Sequence, residues 1–155
     1  MAEKSQKTFK QKTFALCQQV VNSKLLFLQQ SLQDLIISTN NETKSSAGDK
    51  YETGRAMLQI QQDNVRKQLK EVLQQKAIFE KIDRYLPSAQ VIIGSLVKTD
   101  KGLFFMCIGL GRIMVEGVKV IAVSAVSPLG SKLIGRKTAE SVTVNGTTYT
   151  ILSVT

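Results

Sequence analysis

The sequence predicts an α+β protein, an antiparallel helical coiled-coil hairpin followed by a small β-rich domain. Three observations predict it. Both prolines, Pro87 and Pro128, lie in the second half, and the first 86 residues hold only Gly48 and Gly54. That first stretch is rich in Gln, Lys, Leu and Glu, which are good helix formers, and its apolar residues recur at heptad spacing. After Leu86-Pro87 the composition turns to Val, Ile, Gly and Thr, residues of strands and turns. The expected division is residues 1–86 for the hairpin and 87–155 for the β-rich domain.

In the first helix Phe14, Val21, Leu28 and Leu35 recur every seven residues, and Leu25 and Leu32 follow Val21 and Leu28 by four. Gln18 is the one polar gap, beside the apolar Cys17. In the second helix Tyr51, Leu58, Val65, Val72, Phe79 and Leu86 are spaced by seven. Leu69 fills an intermediate position, whereas Gln62, Lys76 and Asp83 leave that side of the seam polar. The polar stretch Ser38 to Gly48 is rich in turn and capping residues and is expected to break the helix and reverse the chain. The resulting helices, roughly 29 and 35 residues long, would each extend about 45–50 Å. A compact bundle is the alternative, but no third long helix completes one. A two-helix rod has too little core for an enzyme pocket, which leaves its tip, about residues 40–54, as the exposed feature.

In the second half Val91 to Val97 reads as a strand and Leu103 to Ile108 as its hairpin partner, with Thr99-Asp-Lys-Gly102 as the turn. Lys119 to Ser124 is a third strand. Ser127 to Ile134 reads as a short helix, with Ser127 as N-cap, Pro128 in the first position and Gly135 as the stop. Ser141 to Leu152 is a hairpin turning at Asn145-Gly146. Gly109-Leu-Gly111 lacks the third glycine and the following Lys-Ser/Thr of a phosphate loop, and reads as a turn or bulge.

Composition excludes several functions. The chain has no histidine, which removes the commonest general base, the usual catalytic triads and imidazole-bound metal. Its two cysteines, Cys17 and Cys107, form neither a disulfide framework nor a zinc pattern; they read as small apolar residues in different domains of a protein of the reducing cytoplasm. No signal-peptide pattern opens the chain, and the most apolar run, Leu103 to Leu110, is too short to span a bilayer. The formal net charge of +9 suggests an acidic partner. The charge is spread, however, with 14 Lys/Arg against 9 Asp/Glu up to residue 86 and 7 against 3 beyond it. No DNA-gripping stripe is visible, and with aromatics at 6% and no Trp there is no single-strand stacking platform.

The segment Val123-Ser-Ala-Val-Ser-Pro-Leu-Gly-Ser-Lys-Leu-Ile-Gly-Arg-Lys137, followed by Val142-Thr-Val144 and Tyr149-Thr-Ile-Leu152, resembles the C-terminal part of the bacterial Gre transcript-cleavage and elongation factors. The order of parts agrees, and the resemblance runs from about Phe14 to the end. It implies an FKBP-like second domain that docks on RNA polymerase through Ser127, Pro128, Leu129 and Gly130. It also implies a coiled coil that enters the secondary channel, with indirect contact to nascent RNA or DNA. In the family, acidic tip residues help hold a Mg2+ ion shared with the polymerase active site, which then cleaves its own backtracked RNA. The family's tip reads Asp-Leu-Ser-Glu-Asn-Ala-Glu-Tyr. Anchored on Tyr51, the stretch here is Lys44-Ser-Ser-Ala-Gly-Asp-Lys-Tyr51, so the acids become Lys44, Ala47 and Lys50. A protonated lysine cannot ligate magnesium, and on this alignment cleavage stimulation is lost. A shifted reading keeps Asp49 and Glu52 at the family's Asp-x-x-Glu spacing on one helical face; the alternative is that both simply favour the N-terminus of the second helix. Arg55, like Lys50, is either a solvated charge or a contact to polymerase or RNA.

The expectation is therefore a non-enzymatic, soluble, cytoplasmic elongation regulator with no cofactor, metal, membrane partner or small-molecule substrate of its own. Three rivals stand beside it. The first is a coiled-coil adaptor that never touches polymerase. The second is a prolyl isomerase, although the β-rich half offers only Phe104, Phe105 and Tyr149 to line a groove. The third is a basic nucleic-acid binder, which would show steep salt dependence on naked DNA.

Overall fold

The computed structural model describes residues 8–44, 49–83 and 86–155; the side chains of 42–44 and 49–52 fall outside the description. Two long helices, α1 (Phe9–Lys44) and α2 (Asp49–Glu80), precede β1 (Leu96–Thr99), β2 (Gly102–Cys107), β3 (Gly111–Val115) and β4 (Val118–Ser124). A short helix, α3 (Pro128–Leu133), and the strands β5 (Ser141–Val144) and β6 (Thr147–Val154) complete the chain. The fold is α+β, as the sequence predicts.

The chain forms two compact units. One is Val20–Ala77; the other joins the chain up to Gln19 with Ile78–Thr155. The sequence places the division at 86/87, whereas here the first turns of α1 and the last turn of α2 belong with the sheet. The reason is burial. Phe14, Cys17 and Phe79 lie in the core, and Phe14 packs edge-on against both Phe79 and Phe105, with ring centroids 5.4 and 6.5 Å apart.

Within Val20–Ala77 the heptad seam forms as read. Val21, Leu25 and Val72 are buried, and Leu28, Leu32, Leu35, Leu58, Val65 and Leu69 are half-buried. The polar gap at Gln62 is itself buried, its Nε2 donating to Thr39 Oγ1 at 2.7 Å and to the Leu35 carbonyl at 3.4 Å. Thr39 Oγ1 also donates to the Leu35 carbonyl, and Arg66 donates to Gln62 Oε1. A buried polar contact at a seam position fixes register, because any slip leaves it unpaired. It also explains one departure from the sequence reading. The expected break at Ser38 comes later, because the Thr39 hydroxyl is satisfied inside the helix instead of competing with it, and α1 runs on to Lys44.

The start of α1 carries a signal the sequence reading missed. Gln11 N–H donates to Thr8 Oγ1 and Thr8 N–H to Gln11 Oε1, a reciprocal Thr-x-x-Gln capping box. At the other end, α2 stops at Glu80, short of the expected Leu86. Lys81 and Ile82 N–H turn to the carbonyls three residues back, tightening the last turn, and Pro87 bars Leu86 from helical backbone. Leu86 is exposed and takes no part in the seam.

The sheet order is β3-β4-β2-β1-β6-β5, with β2 and β4 parallel and every other pair antiparallel. Strand β2 is central and covered on both faces, hence its unbroken apolar run. Phe104 and Met106 meet Val91, Val97, Leu133, Val142 and Ile151 on one face. Phe105 and Cys107 turn to the other face. The expected strand Val91–Val97 survives only at its end. Gly94 adopts φ +102, Ser95 N–H bonds the Ile92 carbonyl, and Ser95 Oγ accepts the Ile92 N–H, so Ile92–Ser95 is a turn. Strand β3 was not anticipated; its hairpin with β4 turns at Glu116-Gly117, both with positive φ. Asn145-Gly146 turns the β5–β6 hairpin the same way, as expected.

Candidate docking surface around α3

The four residues that the sequence nominates for docking open α3. Ser127 is the N-cap: its Oγ accepts the Gly130 N–H at 3.0 Å and donates to the Ser124 carbonyl at 2.6 Å. Pro128 occupies the first helical position and is exposed. Leu129 is half-buried against the core, and Gly130 is buried. A Cβ on Gly130 would lie 1.9 Å from the Ser124 carbonyl oxygen, so only glycine fits. Of the four, then, Pro128 alone presents its side chain outward, and the other three seat the helix.

The outward apolar surface comes from neighbours that sequence reasoning missed. Val126, in the turn before the cap, is 89% exposed. Beyond α3, Gly135 takes φ +82, its N–H bonds the Val91 carbonyl, and Val91 N–H bonds the Arg136 carbonyl. This clasp sets the Ile92–Ile93 turn beside Ile134. Ile92, Ile93, Ala125 and Ile134 line a shallow depression of about 450 Å³, and all three isoleucines are exposed. Lys132, Arg136 and Lys137 lie close along the chain, with no acid between Ala125 and Lys137. Arg136 leans on Glu140 at 3.9 Å, a weak exposed pair. A signal was present in Val91-Ile-Ile, whose three successive apolar residues exceed what one face of a strand can bury.

The tip residues fare differently. Ala47 lies outside the described residues, and so do the side chains of Lys44, Asp49, Lys50, Tyr51 and Glu52. Arg55 is exposed on α2. Among the described residues no group of three or more His, Cys, Asp or Glu is placed to hold a metal ion, and no helix is long and apolar enough to cross a membrane. Of the isomerase rival's aromatics, Phe104 and Phe105 are buried, and Tyr149 packs edge-on to Phe104 at 5.7 Å, so they line no open groove. Cys17 and Cys107, expected in different domains, fall in one unit; both are buried, and the Cys107 thiol donates to the Ile108 carbonyl at 3.5 Å.

The fold is that of a helical-hairpin protein whose mixed-sheet unit carries an exposed apolar face flanked by basic residues. No protein-family model matches the chain, and no curated protein does. Among solved structures it is similar to the GreA factor homolog 1 (Gfh1) protein of Thermus thermophilus, with a TM-score of 0.36 and 10% identity over 89% of this chain and 94% of that one. It is similar also to a structure of the transcription factor Gfh1, with a TM-score of 0.35 and 11% identity over 88% and 92%. Neither likeness assigns a function.

Proposed function

We propose that this chain is an RNA-polymerase-binding regulator of transcription elongation that docks through the α3 face. The observation that carries the reading is the Ser127–Gly130 segment. It bears the Gre-like sequence, it opens a capped helix on a mixed sheet preceded by a helical hairpin, and it stands beside an exposed apolar depression flanked by basic residues. An apolar centre with a charged rim is the anatomy of a protein interface, and the basic flank selects an acidic partner surface.

In this reading the hairpin enters the polymerase's secondary channel and approaches nascent RNA or DNA indirectly. The chain is not itself an enzyme. Lys44, Ala47 and Lys50 stand where the family has its acids, and none of them suits a hard divalent ion. The hairpin then occludes or modulates the channel instead of stimulating cleavage. Capture of core polymerase, followed by RNA cleavage on a stalled, backtracked complex, tests both parts. Binding without cleavage is the expected result. Binding with cleavage that vanishes in Asp49→Ala/Glu52→Ala overturns the occluding role and makes those acids functional.

The adaptor reading has one observation in its favour: Leu26 and Phe27 are exposed on α1, at 67% and 70%. In that case Phe27→Asp abolishes partner capture, and polymerase is absent from what is captured.

A further inference from the structure

We infer that the cavity between the first turn of α1 and the sheet is a binding site for a small amphipathic anion, an apolar body carrying one carboxylate-like head. This inference is independent of the docking proposed above, which uses the opposite face of the sheet.

The floor of the cavity follows from strand register. Leu96 pairs with Phe105, Lys98 pairs with Leu103, and Lys98 pairs also with Ser153. Paired residues share a face. Leu96, Lys98, Leu103 and Ser153 therefore stand on the Phe105 side, opposite the core that Phe104 and Met106 build beneath α3. Beside Phe105 that face is filled by Phe14. Toward Lys98 it is open, and Phe9, Lys10 and Pro87 wall a cavity of about 470 Å³. Small-molecule sites span roughly 300–1,000 Å³. All the lining residues belong to one compact unit.

The lining sets the chemistry of the ligand. Phe9, Pro87, Leu96 and Leu103 are apolar, and covering them drives the entry of an apolar body. The charged lining side chains are two lysines, with no acid. Lys10 Nζ donates to the Leu86 carbonyl at 3.1 Å, which holds it in place and leaves two N–H groups to give. Burial draws Lys10 below the ordinary lysine range, and attraction to Asp83 opposes this only in part. An ammonium so placed gains from a nearby anion. Lys98 has no ion pair or side-chain hydrogen bond among the described residues. The start of α1 adds to the attraction, because the positive end of a helix dipole favours negative charge. A neutral ligand leaves both lysines unanswered, and a polyphosphate brings more charge than two lysines offset.

The test titrates the isotope-labelled whole chain with sodium octanoate, below its micelle-forming concentration, and follows the amide shifts. The expected result is saturable shifts centred on Phe9 to Gln11, Leu96 to Lys98, Leu103 and Ser153 to Thr155. Octanol binds roughly five-fold more weakly, and so does octanoate to Lys98→Gln, through the loss of an exposed charge pair. Lys98 is exposed, so this variant folds as the wild type does. Ser153→Trp fills the cavity and blocks octanoate, whereas Met114→Gln, on the edge strand β3, binds it as the wild type does. Absence of saturable shifts, or shifts centred on Leu26–Phe27 or on the Ile92–Ile134 depression, overturns the inference. So does octanol binding as tightly as octanoate, or unchanged affinity in Lys98→Gln or Ser153→Trp.

Discussion

Replacing Gly130 by alanine tests how α3 is seated, and its cost is worked from geometry. The new Cβ meets the Ser124 carbonyl oxygen at 1.9 Å, its carbon at 2.8 Å and Ser127 Oγ at 2.9 Å. The first contact is roughly 1.5 Å short of ordinary van der Waals distance. Two of the three atoms are backbone at the end of β4, so they cannot rotate away; α3 itself must lift. Lifting it strains the bond from Gly130 N–H to Ser127 Oγ, a cap worth about 1 kcal/mol. It also withdraws Leu133, fully buried, from its seat, and overpacking of this kind costs about 1–3 kcal/mol. The expected loss is about 2–4 kcal/mol for Gly130→Ala, against about 1 kcal/mol for Ser127→Ala. The double variant loses less than the sum, because Ser127 Oγ is one of the atoms struck. The assay is equilibrium urea unfolding with hydrogen exchange read at the amides of α3 and β4. A loss for Gly130→Ala below about 0.5 kcal/mol, with α3 protection unchanged, would refute the reasoning.

Further outcomes follow from the hairpin and the sheet. Gln62→Leu leaves Thr39 Oγ1 still bonded to the Leu35 carbonyl, so stability changes by less than about 1 kcal/mol in either direction; spin-label distances between α1 and α2 then broaden as register loosens. Thr39→Ala instead strands Gln62 Nε2 on its 3.4 Å contact to Leu35 and costs about 1–2 kcal/mol in urea unfolding. Asp100 Oδ1 accepts the Thr150 N–H at 2.9 Å, a bond that holds its carboxyl below the usual range, with Lys101 beside it adding to the effect. The folded group is the stronger acid, so its contribution is complete above about pH 4 and is lost as pH falls through the folded value. Asp100→Asn therefore lowers stability at neutral pH, where that contribution is complete, leaves the strongly acidic end unchanged and so flattens the acid limb of the profile.

Much of this molecule was legible because its strongest signals are local. The heptads of Val21 to Leu35 and Leu58 to Phe79, the Ser127-Pro128 helix start and the Asn145-Gly146 turn each state their own geometry. What was illegible depends on partners distant in sequence. Ser38 to Lys44 reads as a breaker until Gln62 is seen to satisfy Thr39 from the facing helix. Val91 to Gly94 reads as strand until Ile82 and the α3 exit claim it; a Cβ on Gly94 would lie 2.7 Å from Ile82 Cγ2. Strand β3 is short and half exposed at the sheet edge, with Arg112 and Met114 outward, so it lacks a buried run. At the candidate site, sequence found the residues that build α3, and structure found those that face outward. Side-chain direction at Val126, Ile92 and Ile134 is set by the turn and clasp around them, which no spacing rule encodes.

The central claim is that the face around α3 docks on RNA polymerase, and its most direct test is a binding titration of core polymerase with the wild-type chain and with Val126→Asp. Val126 is exposed at 89% and makes no core contact, so the variant folds normally. Burying a valine side chain at an interface contributes about 1.5–3 kcal/mol, and placing a carboxylate there adds a desolvation cost. The account predicts saturable binding by the wild type, weakened roughly 10- to 100-fold by Val126→Asp. Absence of binding by the wild type, or equal binding by both, would contradict it.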